Sequence, residues 1–411
     1  MSRPSGAVAL TGIGMITPAG IGREATWSGV CSGRPTAERD PQLKGLPVDF
    51  SCRVPEMTED EARIGGRKGW RMGRFTQLAV LAAREAVADA GLDPATWDGD
   101  RVAVVIGSGL GGAAHLEDQA VRLRAGGPDL VSPVLIPMLI PNMAAGEVLI
   151  DLGARGPSLS TESACASGAS ALAVARDLLR SGACDVAVAG GAEAGVSPAV
   201  TTGFHRMGAL SARGDDPAGA SRPFAVDRDG FVIAEGAAVV VLERAEDAAA
   251  RGGRGYAHLV GVGMSSDAHH PTAPAPGGRA AGTALRTALA DAGLAGGDVD
   301  HVNAHGTSTT LNDRTEAELI SQSLPHGPSV TAAKGVLGHA LGAAGAIEAA
   351  LTALTLHRGT VPPVANLTPD RLAFPALDCV TGRARRQEVR AAVSHSFGFG
   401  GHNVVLAFRA A

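Results

Sequence analysis

Aromatic side chains are nearly missing: one Tyr, three Trp and nine Phe serve 411 residues. A chain that is 45% hydrophobic but only 3% aromatic must build its core from Ala, Val and Leu, packed closely. Cysteine is scarce too. The five thiols (Cys31, Cys52, Cys165, Cys184, Cys379) form an odd, scattered set with no C-x-x-C spacing. That excludes a disulfide framework and reads as reduced thiols in a cytoplasmic protein. No long apolar run is free of breakers. The most apolar stretch, residues 131–150, contains Pro133, Pro137, Pro141, Asn142 and Glu147, so no membrane span is expected. Residues 1–14 carry one Arg and a short apolar run, too little for a signal peptide. Positive charge is not in excess either: a net charge of −5 argues against nucleic acid as the partner. A soluble protein is expected.

Glycine, by contrast, is abundant at 56 residues. It falls between periodic apolar segments, as turns and close backbone approaches require, rather than in disordered runs. The Gly107-Ser108-Gly109-Leu110-Gly111-Gly112 stretch fits neither the Walker pattern nor the dinucleotide fingerprint. His269-His270 lacks Cys or carboxylate partners at metal-ligand spacing. Neither a metal nor a cofactor is expected.

The chain repeats itself. Leu10-Thr11-Gly12-Ile13-Gly14-Met15 is echoed by Leu259-Val260-Gly261-Val262-Gly263-Met264. Ala86-Val87-Ala88-Asp89-Ala90-Gly91-Leu92 is echoed by Ala288-Leu289-Ala290-Asp291-Ala292-Gly293-Leu294, each closing an alanine-rich helix on a C′ glycine. A third echo pairs the helical segments 168–182 and 345–359. Three echoes in one order argue for a duplicated αβ unit, with a boundary near residue 250: an N-terminal half, 1–250, and a C-terminal half, 251–411. The first half carries insertions at about 20–70 and 108–150. Continuously apolar strands such as Val102–Ile106 and Val186–Ala189 are those of sheets buried between helical layers.

Three segments bear the chemistry. Cys165 lies in Ser160-Thr161-Glu162-Ser163-Ala164-Cys165-Ala166-Ser167-Gly168, His305 in Asn303-Ala304-His305-Gly306-Thr307-Ser308-Thr309, and His339 in Lys334-Gly335-Val336-Leu337-Gly338-His339. A free cysteine is ordinarily a small buried hydrophobe. Here a helix begins just after it, which would set a positive dipole end beside the sulfur and lower the thiol pKa. One thiol and two imidazoles suit carbon–carbon bond formation on thioesters. Lys334, in an apolar stretch, needs a partner, and Glu348 in the following helix is the natural candidate. A basic run, Arg63, Arg67, Lys68, Arg71, Arg74 and Arg84, has an acidic partner as its functional reading.

These motifs, with Ser221-Arg222-Pro223-Phe224, Arg228-Asp229-Gly230-Phe231 and Phe397-Gly398-Phe399-Gly400-Gly401, resemble the elongating Cys-His-His type of β-ketoacyl-acyl carrier protein synthase over essentially the whole chain. The resemblance implies the thiolase-like fold, an α/β architecture of two pseudo-symmetric halves in five α-β-α-β-α layers. It implies decarboxylative condensation of malonyl-acyl carrier protein with an enzyme-bound acyl thioester, in type II fatty acid or polyketide biosynthesis. By the same resemblance, Cys165 is the nucleophile, and His305 and His339 assist decarboxylation. Lys334 orients His305 and pairs with Glu348. Cys165 and Phe397 form the oxyanion hole, with the Phe397 ring as gate. Thr307 and Thr309 hold the pantetheine arm, and Arg67, Lys68, Arg71 and Arg74 dock the acyl carrier protein. Phosphopantetheine arrives on that carrier, so the enzyme holds no cofactor of its own. A homodimer is expected, with a heterodimer beside a chain-length-determining subunit as the alternative. A degradative thiolase shares the fold but would carry a second catalytic Cys in the glycine-rich loop, where this chain has none. Departures from the usual pattern are Glu162, Ser163, Thr310 and His395.

Overall fold

Ten strands form two sheets of one design in the computed structural model, which describes residues 7–57 and 66–411, the side chains of 66–68 excepted. The first sheet takes β1 (Val8–Thr17), β2 (Val102–Gly107), β3 (Ser158–Thr161), β4 (Val186–Glu193) and β5 (Gly236–Arg244). The second takes β6 (Ala257–Ser266), β7 (His301–Asn303), β8 (Ser329–Thr331), β9 (Ala391–Gly398) and β10 (His402–Ala410). Their spatial orders are β3-β2-β4-β5-β1 and β8-β7-β9-β10-β6. Strand directions match as well: β2 runs parallel to β3 and β4, as β7 does to β8 and β9. The remaining pairings among these ten strands are antiparallel, and the two-residue strand Asp378–Cys379 adds a parallel pairing beyond β8. A short antiparallel pairing of Val8–Leu10 with Ala257–Leu259 joins the sheets through β1 and β6. The echoes in the sequence are therefore echoes in the backbone.

Both faces of each sheet are buried. In β5, Ala238, Val240 and Leu242 face a central core, while Ala237, Val239 and Val241 face an outer one. In β10, Val404, Leu406 and Phe408 face the same central core, and Val405 and Ala407 face a third. Helices α1 (Arg74–Asp89) and α2 (Met143–Leu152) cover the first sheet. Helix α3 (Ser167–Arg180) lies between the sheets; α4 (Arg279–Ala292) and α5 (Thr310–Ser323) cover the second. Helix α6 (Ala344–Arg358) packs beside α3 in the centre. The result is the five-layered α-β-α-β-α arrangement.

Glycine sets the layer spacing at two places. A Cβ on Gly14 would lie 1.9 Å from the Ala82 carbonyl oxygen, and one on Gly263 would lie 1.9 Å from that of Ala284. So α1 and α4 rest directly on β1 and β6, which explains the Gly-x-Gly echo. In the centre a Cβ on Gly168 would meet Ala346 N at 2.7 Å, and one on Gly345 would meet Ala169 N at 2.8 Å. The two central helices cross backbone to backbone.

Two insertions lie where expected, between β1 and α1 and between β2 and α2. A third, residues 194–235 between β4 and β5, was not read from the sequence; the matching strands β9 and β10 are joined by a tight loop. It carries the helix Pro198–Arg206. The boundary placed near residue 250 falls on the short helix Ala245–Ala250, between β5 and β6. Among the described residues no helix is long and apolar enough to cross a membrane.

Candidate active site

Cys165 stands on an elbow. After β3 the chain turns through Ala164, held at φ 50°, into a single 3-10 turn, Ala164–Ala166, that leads into α3. Ser167 pins the elbow: its hydroxyl donates to Ala164 O at 2.7 Å and accepts the Ser163 N–H at 3.0 Å. The sulfur is buried, with the residue 8% exposed. Burial pushes the thiol up to about 11, against the pull of the Lys334 charge and the Phe399 N–H. The lowered thiol pKa expected from the helix entry is thus corrected: desolvation outweighs those attractions.

Two imidazoles face the sulfur. His339 Nε2 lies 3.1 Å from Cys165 Sγ, and His339 Nδ1 accepts the Leu341 N–H at 3.2 Å. An Nδ1 that accepts leaves the ring proton of a neutral imidazole on Nε2. His305 is fixed the same way by another donor. Lys334 Nζ sits 3.3 Å from His305 Nδ1 and 2.6 Å from His305 O, and ion-pairs with Glu348. Those contacts use all three ammonium protons, so His305 also carries its proton on Nε2. Burial, then the Lys334 charge, holds both imidazoles well below the usual 6.5, so both are neutral at pH 7. Burial also pushes Glu348 up to about 7, with Lys334 pulling it back. The Lys334–Glu348 pairing is the one expected.

The candidate atoms of Cys165, His305 and His339 lie within 4.8 Å of one another. The set is built to donate hydrogen bonds rather than to ligate. A metal on either Nε2 would force the ring proton onto an Nδ1 that already faces an N–H donor.

The glycine loop corrects one assignment. It is the Phe399 N–H that pulls the Cys165 thiol down, whereas Phe397 still belongs to β9, opposite Asn403. Between them Gly398 packs so closely that a Cβ would lie 2.4 Å from Ser163 O and 3.2 Å from Cys165 N. The Phe397 ring instead sits 5.8 Å from the His305 ring and 5.4 Å from that of His395. The alternation Phe-Gly-Phe-Gly-Gly sets two phenylalanines two residues apart, and only the strand's end distinguishes them. A cavity of about 280 Å³ opens over the cluster, and Phe204, Phe231, Phe399, Thr307 and Thr309 are among the residues that line it. The two threonine hydroxyls are 2.9 Å apart, and Thr309 also caps α5.

In the basic run, Arg63 lies outside the described residues, as do the side chains of Arg67 and Lys68. The Arg71 guanidinium lies 5.2 Å over the ring of Trp70, which is 56% exposed. Arg74 forks the buried Glu235 at 2.8 and 2.6 Å while its own side chain stays 41% exposed.

Two carboxylates were missed. Glu316 accepts the N–H groups of His305 and Gly306, both at 2.8 Å, and faces His395 Nδ1 at 3.0 Å. Glu193 ends β4 and accepts from the loop after β2 and from Gly342. An acid closing an Ala-, Val- and Gly-only strand was the available signal for Glu193. For Glu316 it was the Asp313/Glu316 pair, one helical turn apart behind the His305 motif.

The family described as "Beta-ketoacyl synthase, N-terminal domain" matches residues 5–248, and its C-terminal counterpart matches residues 256–368. The chain is 43% identical over 409 residues to 3-oxoacyl-[acyl-carrier-protein] synthase 2 of Synechocystis sp., covering 98% of this chain and 97% of that one. It superposes on the ishigamide ketosynthase/chain length factor with a TM-score of 0.92 at 34% identity, over 99% of each chain. It also superposes on a ketosynthase in complex with its type II polyketide synthase acyl-carrier protein, with a TM-score of 0.90 at 30% identity over 99% of each chain.

Proposed function

This chain belongs to the β-ketoacyl synthase family and is a condensing acyltransferase, and from that premise we propose how its residues divide the reaction. The Cys165 sulfur attacks the carbonyl of an acyl thioester presented by an acyl carrier protein. The acyl–sulfur bond to the carrier breaks, and the thiol proton leaves with the carrier's phosphopantetheine thiol. Malonyl-carrier protein then enters the same cavity. Its carbon–carboxylate bond breaks, carbon dioxide departs, and the electron pair moves onto the thioester oxygen. The two Nε2–H groups of His305 and His339 hold that enolate oxygen. The enolate carbon attacks the acyl-Cys carbonyl, whose oxyanion lies between the N–H groups of Cys165 and Phe399. Collapse expels the Cys165 thiolate, which takes a proton from water to restore the thiol, and releases β-ketoacyl-carrier protein. Type II fatty acid or polyketide synthesis is the setting.

The observation that carries this reading is the donor arrangement: two neutral imidazoles, each locked with its proton on Nε2, within reach of one thiol. A thiol at about 11 loads because the thiolate is stabilised as it forms, not because it is free beforehand. Thr307 and Thr309 line the pantetheine path, and Arg71 with Trp70 offers a cation and an apolar face to an acidic carrier. A second copy or a related subunit completes β3, a sheet edge where Leu159 is 43% exposed. The helix Ala113–Gly126 exposes Leu116 and Leu123, seven residues apart on one face, an apolar stripe suited to the same partner. Five free thiols favour the reducing cytoplasm. No cofactor is needed beyond the carrier's arm.

Intact-mass analysis after incubation with acyl-carrier proteins tests the nucleophile. The wild-type chain gains one acyl group and the Cys165→Ala variant gains none. An acylated Cys165→Ala chain overturns the assignment.

A further inference from the structure

Glu193 is fully buried at the end of β4. Its carboxylate accepts Gly109 N–H at 2.7 Å, Gly342 N–H at 3.0 Å, Leu110 N–H at 3.3 Å and the Ser108 hydroxyl at 3.2 Å. Among the described residues no cation pairs with it. A lone buried carboxylate costs several kcal/mol unless its hydrogen bonds hold it ionised; burial pushes it up to about 7 while these four donors pull it down. The donors come from both halves, Ser108–Leu110 from the loop after β2 and Gly342 from the turn before α6.

The duplication says what that turn is. Ala164 (φ 50°) precedes Cys165, and Leu341 (φ 45°) precedes Gly342. Each 3-10 turn leads directly into its central helix. Gly168 and Gly345, each three residues further on, make the reciprocal helix contact. Gly342 is therefore the mirror of Cys165, and its N–H is the mirror of the N–H proposed for the oxyanion. No side chain fits at 342: a Cβ would lie 2.2 Å from Gly109 N and 2.8 Å from Glu193 Oε2. A protein carboxylate occupies the second copy of the anion site.

The neighbouring N–H in this turn, that of Leu341, is the donor that fixes the tautomer of His339. We propose that Glu193 is a positioning residue for condensation: it anchors the mirror turn at Gly342, and so holds the Leu341 N–H on His339 Nδ1 and the His339 Nε2–H toward the thioester oxygen. The inference rests on the reading of His339 as an enolate donor. Cys165 is held in place by its own elbow and Ser167; burial and the Glu193 charge raise its thiol, so removing that charge does not slow loading.

The test uses the full-length Glu193→Gln variant, whose amide nitrogen faces N–H groups where an oxygen had accepted them. Carbon dioxide release from malonyl-carrier protein and acylation of Cys165 are followed separately. A misplaced catalytic group costs on the order of 10²-fold; that loss is expected in decarboxylation, with acylation within about threefold of wild type by the same reasoning. On a His339→Ala background the Glu193→Gln loss disappears, because the donor it positions is gone. Equal losses in both reactions, or a full additional loss on the His339→Ala background, overturn the proposal. If Glu193→Gln does not fold, Glu193→Asp, which keeps the charge and retracts it, decides by the same two readouts. The reading of His339 itself fails separately, when His339→Ala alone decarboxylates normally.

Discussion

At the scale of single residues, burial and tautomer decide the chemistry more than charge does. Cys165, His305, His339, Lys334 and Glu348 were all legible as residue types in glycine-rich settings, and the Lys334–Glu348 pair followed from the cost of a buried cation. What the sequence did not carry was the sign of the thiol shift. Proximity to a helix start argued for a lower pKa, but only the packed structure reveals that the sulfur is dry. The Phe397 and Phe399 exchange has a similar origin, since strand end and loop start differ by two residues in a repeating dipeptide. The imidazoles yield a prediction. Both are depressed below 6.5 by burial and the Lys334 charge, so they stay neutral as pH falls through that value. The ring 15N NMR shifts of His305 and His339 in the wild-type enzyme are therefore expected to stay those of neutral imidazoles from pH 7.5 to about 6. Ring shifts that titrate with a midpoint near 6.5 would show ordinary imidazoles and contradict the assignment.

At the scale of elements, the duplication was readable because glycine is punctuation that packing enforces. The Gly-x-Gly echoes mark where a helix backbone lies on a strand backbone, and no other residue satisfies both strand and helix. The third insertion escaped because residues 194–235 hold mostly turns and one short helix. No periodicity announces such a segment. Equivalence of the halves has an energetic consequence. Gly14→Ala and Gly263→Ala each force a Cβ to within 1.9 Å of a helix carbonyl, which overpacking costs at about 3 kcal/mol. Denaturant unfolding should show both variants strongly destabilised and by similar amounts. A near-neutral effect of Gly263→Ala would mean that α4 does not rest on β6 as described.

At the scale of the whole molecule, one half carries Cys165 and the other carries His305 and His339, and the cluster exists only where the two meet. Carrier recognition belongs to this scale as well. Arg71→Glu is expected to raise the KM for carrier-bound substrate several-fold more than for a short pantetheine mimic. That difference should shrink with added salt, since exposed charges are screened over roughly 8 Å at physiological ionic strength; steady-state kinetics at two ionic strengths checks it. An equal rise for carrier and mimic would point to the fold rather than to docking. The division between the halves is tested most directly by following two labels on His305→Ala and His339→Ala, carbon dioxide release from malonyl-carrier protein and acyl transfer to Cys165. Removing one donor aimed at developing negative charge costs on the order of 10²–10³ in rate, so release should fall by that factor in each variant while acylation of Cys165 changes little. Variants that decarboxylate normally yet fail to acylate would contradict the account.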